Sequence, residues 1–63
     1  MCISTVYKGT TPAPENILAE YITALSFGDG AVSVTDITGE RTTLTGTITR
    51  IDLAAGKIFL DPS

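Results

Sequence analysis

Cys2 is the residue best equipped for chemistry in this 63-residue chain. It is the only cysteine, and there is no histidine. Its thiolate lies one peptide bond from the amine of Met1. That amine, the Cys2 amide nitrogen once deprotonated, and the thiolate can hold one metal through fused chelate rings. The amine titrates near about 8 and the thiol near about 8.5, so a metal competes successfully for both at neutral pH. Nitrogen and sulfur donors in one plane suit a square-planar ion such as Ni(II). Zinc prefers four tetrahedral ligands, which one chain without histidine does not easily supply. Two chains meeting at their N-termini offer two sulfurs and at least two nitrogens. The competing reading makes Cys2 a small apolar residue at the mouth of the core, as free cysteines often are. On the residues alone that second reading is the stronger.

The remaining polar residues form weaker constellations. Asp36, Glu40 and Asp52 approach one another only if the fold brings them together, and they read better as solvated turn carboxylates. Ser4 and the many threonines have no recognisable base beside them, so nucleophilic catalysis has no support. Gly28-Asp29-Gly30 is followed by no helical pattern and is not a phosphate loop. Tyr7, Tyr21, Phe27 and Phe59 are able to stack nucleic-acid bases. Only Lys8, Arg41, Arg50 and Lys57 are basic against seven acids, so core packing and a dimer interface account for these aromatics better. Nucleic acid is an unlikely partner, and a binding protein rather than an enzyme is expected.

The stretch from Arg41 to Leu60 organises the rest. Leu44 and Ile48 alternate with threonines, the period of a half-buried strand. Ile51 and Leu53 fall on the other parity, so one long strand over residues 41–53 needs a bulge or bend near Thr49–Arg50. Gly46 allows a sharp curl or a close neighbour. Ala54-Ala55-Gly56 turns the chain into a strand over residues 57–60. Upstream, residues 2–8 read as a first strand and residues 9–14 as a loop broken by two prolines. Residues 15–27 are ambiguous. Asn16 is able to cap a helix whose stripe is Ile17, Leu18, Tyr21, Ile22 and Leu25. The alternative is two strands, 17–19 and 21–27, with the second entering a hairpin at Gly28-Asp29-Gly30 and a partner strand over 31–36. A helix leaves that turn without a partner, so strands are expected. Ile37-Thr38-Gly39-Glu40 is a tight turn, and residues 61–63 a frayed end. The expected fold is all-β: five or six strands in a small antiparallel barrel or curled sheet. Its core is Val6, Ile22, Val32, Val34, Leu44, Ile48, Ile51, Ile58 and Leu60.

Sixty-three residues make a single small domain over 1–63, and a core below about 70–80 residues rarely supplies more than about 3–5 kcal/mol. No disulfide within the chain supports it, so a homodimer is expected. Ile3, Tyr7 and Phe59 fall opposite the predicted core and would form an apolar interface patch. No apolar run approaches a membrane span of about 20 residues. The opening residues have no basic head or long apolar stretch, so they do not read as a signal peptide. A cytoplasmic protein with a reduced thiol is the expectation.

Taken in order, the residues carry a likeness. Met1-Cys2, Val6-Tyr7, Ile22 before a Gly-Asp-Gly turn, Val32 and Val34, residues 36–40, Gly46-Thr47-Ile48, Ile51-Asp52-Leu53 and Lys57-Ile58-Phe59-Leu60 together resemble the CooT family. These are small nickel-binding accessory proteins linked to maturation of carbon monoxide dehydrogenase. The resemblance implies an Sm-like or SH3-like barrel of five to seven short strands, a homodimer, and Ni(II) bound through Cys2. It turns the balance on Cys2 toward metal binding, with Met1 beside it as a second ligand residue. The client it implies is a nickel enzyme such as carbon monoxide dehydrogenase. The other reading is an Sm-like module that binds RNA or a protein without a metal.

Overall fold

Strand-forming residues fill the chain between its glycine turns, and the computed structural model, which describes residues 3–62, shows six β-strands and no α-helix among them. The strands are β1 (Ser4–Lys8), β2 (Ile17–Gly28), β3 (Ala31–Asp36), β4 (Arg41–Thr45), β5 (Thr47–Asp52) and β6 (Lys57–Asp61). One 3₁₀ turn, Pro14–Asn16, leads into β2. The all-β expectation holds, and the helix considered over residues 16–25 is absent. Asp61, expected in a frayed end, belongs to β6.

The two short strands expected at 17–19 and 21–27 are one continuous strand. Tyr21, at φ +59°, takes up an irregularity within it. Between Ser4 and Val6, β1 advances two residues while β2 moves three, from Ile22 to Ala19. Between Ile22 and Ala24 the β2–β3 register slips again. Each slip adds a residue to the period-two pattern, so inward-facing Ile17, Ala19, Ile22 and Leu25 are spaced unevenly along the strand.

The strands form one sheet in the order β4-β3-β2-β1-β6-β5. The expected long strand over 41–53 is divided at Gly46, and its halves lie at opposite edges of the sheet. The hydrogen-bonded ladder therefore stays open rather than closing into a barrel, while the backbone passes from one edge to the other through a single glycine. The expected irregularity near Thr49–Arg50 is present as a register slip between Ile48 and Arg50. An all-antiparallel sheet was expected, but β1 and β6 pair in parallel, with Val6 opposite Ile58 and Lys8 opposite Leu60. The reason is the continuation of β4 into β5. No hairpin reverses the chain there, so β6 leaves the next turn running in the direction of β1.

Val6, Ile22, Val32, Val34, Ile58 and Leu60 form the buried core, with Leu44 and Ile48 half-buried against it. Ile51, expected in that core, is 45 % exposed. It lies on an edge strand and has a β-neighbour on one side only. Phe59 does face away from the core cluster, yet it is only 4 % exposed. Tyr7 stacks on it at 5.8 Å, and the Arg50 guanidinium lies over its ring at 5.8 Å. Of the patch expected from Ile3, Tyr7 and Phe59, Phe59 is thus covered within the chain by Tyr7 and Arg50, while Ile3 stays 48 % exposed.

The turn after β3 is held by one carboxylate. Asp36 Oδ1 accepts hydrogen bonds from the Thr38 hydroxyl (2.6 Å), the Thr38 N–H (2.8 Å) and the Glu40 N–H (3.0 Å). The Thr38 hydroxyl, assisted by those N–H groups, holds the Asp36 carboxyl below its ordinary value of 3.8. A group whose pKa is lowered by folding stabilises the fold fully above its unfolded value and loses that contribution as pH falls through the folded one. Asp36→Asn is accordingly expected to be less stable than wild type at pH 6. That gap should narrow as the pH falls below 3.8. Urea midpoints of the two proteins across that range check the sign.

Candidate metal centre

Met1 and Cys2, the expected ligands, lie outside the described residues. The elements that hold the next residues are well defined. The backbone oxygen of Gly56 accepts from the Thr5 N–H at 2.9 Å, fixing the start of β1 against the turn between β5 and β6. Gly56 has φ +69°, and a Cβ there would stand 2.9 Å from the carbonyl oxygen of Ile3. That distance is closer than a side chain tolerates, so glycine is required both by conformation and by the neighbouring strand. The turn is braced from the other side: Asp52 Oδ1 accepts the Ala55 N–H at 3.0 Å. The sequence of supports is Asp52 to the turn, the turn to Gly56, and Gly56 to Thr5, three residues after Cys2. The sequence reading treated Asp52 as a solvated carboxylate and missed this bracing role. An Asp three residues before the bonded amide is the signal that marks it.

The other candidates do not assemble. Asp36 and Glu40 share one turn, but Asp52 is bound to another, and no group of three metal-binding side chains occurs among the described residues. The aromatics separate as well. Tyr7 and Phe59 stack with each other, whereas Tyr21 and Phe27 are exposed, so packing within the chain accounts for the first pair and not for the second. Arg50 lies over Phe59 and reaches Asp52 at 3.5 Å. No helix among the described residues is long and apolar enough to cross a membrane.

No curated protein matches the chain. The family model described as CO dehydrogenase accessory protein CooT matches residues 1–61, a span that takes in the N-terminal Met-Cys pair, all six strands and the Gly46 corner. The chain belongs to the CooT family of CO dehydrogenase accessory proteins.

Proposed function

We propose that this protein binds Ni(II) through Cys2 at a homodimer interface and acts as a nickel metallochaperone in its family's accessory role toward CO dehydrogenase. The family match through residues 1–61 carries the reading. The donor set supports it: each chain has one thiol, no histidine, and backbone nitrogens of Met1 and Cys2 adjacent to that thiol. A single chain supplies too few soft ligands for a closed site, and a second copy doubles them. Nickel here is cargo, held by thiolate sulfur with Met1 or Cys2 nitrogen completing a planar set.

Both donor types must lose protons to coordinate. Nickel uptake is therefore expected to release protons and to weaken below about pH 6. Titration with Ni(II) followed by absorption should give thiolate-to-nickel charge-transfer bands that saturate at one metal per two chains. Extending the N-terminus with a tag should weaken binding where the Met1 amine is a ligand. Saturation without any charge-transfer band would remove the thiolate from the site.

A further inference from the structure

Opposed residues of an antiparallel pair alternate between hydrogen-bonded and non-bonded positions, so the register of β3 against β4 fixes where each β4 amide points. The pairs run without a slip from Thr35 opposite Arg41 to Ala31 opposite Thr45. At the two ends of this ladder the Asp36 N–H donates to the Glu40 carbonyl at 3.0 Å, and the Gly46 N–H to the Gly30 carbonyl at 3.4 Å. Thr42 and Leu44 share the parity of Glu40 and Gly46, so their backbone groups face β3. The N–H and C=O groups of Arg41, Thr43 and Thr45 face outward. β4 is the last strand on its side of the sheet, so no strand among the described residues takes them up. The opposite edge is guarded. β5 carries a register slip between Ile48 and Arg50 and an ion pair between Arg50 and Asp52, and bulges and charges are how proteins protect a free edge. From Thr42 to Thr45, β4 has no slip, no charge and no proline, and its three threonines are exposed.

We infer that the free edge of β4 is the docking site for the client enzyme, CO dehydrogenase, and takes one extended segment of it as an added strand. The identity of the enzyme rests on the accessory reading above; the free edge stands independently of it. The chemistry recognised has two parts. The outward groups of Arg41, Thr43 and Thr45 offer main-chain hydrogen bonds to an uncharged, β-branched segment. A cleft of about 400 Å³ adjoins the edge at Gly46, the residue after Thr45, and is lined by Phe27, Asp29, Val32 and Ile48 among others. Asp29 is the only ionisable side chain lining it, and Phe27 is 69 % exposed. A carboxylate beside an open aromatic face selects a lysine or arginine side chain, so the segment carries a basic residue at the end that meets Gly46. A second copy of this chain fits the edge less well. Pairing β4 with β4 adds a second two-fold interface to the nickel-sharing dimer, and unless the two axes intersect, the dimers string into an open fibre.

Biolayer interferometry of the full-length, metal-free chain against purified nickel-free CO dehydrogenase tests this. Wild type should bind. Thr43→Pro removes one outward N–H and no hydrogen bond to β3, a change that an edge strand accepts, so it should keep its circular dichroism spectrum and raise Kd about tenfold or more. Thr45→Pro repeats the change at the next outward amide and serves where Thr43→Pro fails to fold. Thr43→Ala, which retains the N–H, should bind as wild type does, and Asp29→Asn should bind more weakly. Hydrogen exchange reads the edge directly: the Thr43 and Thr45 amides should exchange fast in the free chain and slowly in the complex, and that of Leu44 slowly in both. A wild type that does not bind the enzyme overturns the site. So does a folded proline variant that binds as tightly as wild type, or a complex in which the Thr43 and Thr45 amides gain no protection. Docking through β4 by a wild type that takes up no nickel upholds the site and removes the metal reading alone.

Discussion

Gly46→Ala is expected to leave no folded protein at 25 °C. Gly46 sits at φ +133°, a conformation that costs other residues about 1–3 kcal/mol. A Cβ there would collide with the carbonyl oxygen of Asp61 and stand 2.9 Å from both Leu60 Cδ2 and Pro62 Cα. Two of those three neighbours are backbone and cannot rotate away. Overpacking of this kind adds about 1–3 kcal/mol, and the combined penalty matches the whole stability expected of so small a core. The position is also where the chain passes from one sheet edge to the other, so relaxation by shifting β6 would disturb both β1 and β5. Gly39→Ala is the control. It has φ +88° but no atom within 4 Å of an added Cβ, so it bears the conformational cost without the collision. Thermal melts by far-UV circular dichroism should show a lowered midpoint for Gly39→Ala and no transition for Gly46→Ala.

Leu60→Ala is expected to cost roughly 2–5 kcal/mol, the range for removing a leucine from a closed site. Leu60 is among the largest fully buried side chains. Its strand lies between β1 and β5, so there is no solvent-facing edge through which the cavity can collapse. Leu44→Ala should cost clearly less. Leu44 belongs to edge strand β4 and is only half-buried against the core. Urea denaturation of both variants should place Leu60→Ala mostly unfolded in the absence of denaturant and Leu44→Ala folded with a lower midpoint. Equal losses would contradict the placement of β4 at the edge of the sheet.

The contrast between these two leucines marks where sequence reading succeeded and where it stopped. Period-two alternation identified Val32 and Val34, because β3 pairs with β2 and β4 and lies inside the sheet. The same rule overestimated Ile51, since parity assigns a side chain to a face but does not say whether another strand covers that face. Tyr21 and the register slips explain why residues 17–25 resembled a helix. Irregularities that add residues to a period of two imitate a longer period. Gly46 was recognisable as a corner. What it implies for topology, a parallel β1–β6 pair, follows only when the strand is seen to continue in the same direction beyond it. At the candidate site the donor chemistry of Met1 and Cys2 was readable from residue types alone. The support for the chain beside them was not, because the Asp52–Ala55 and Gly56–Thr5 contacts depend on how β5, β6 and β1 meet.

Nickel binding through Cys2 is the central claim, and isothermal titration of wild type and Cys2→Ser with Ni(II) at pH 7.5 tests it most directly. The variant should retain the circular dichroism spectrum of wild type, because Cys2 precedes the first strand. Wild type should bind one ion per two chains with proton release that varies with the buffer, and Cys2→Ser should show no saturable heat. A Cys2→Ser protein that binds nickel with wild-type affinity and stoichiometry would contradict the account and return Cys2 to the role of a small apolar residue.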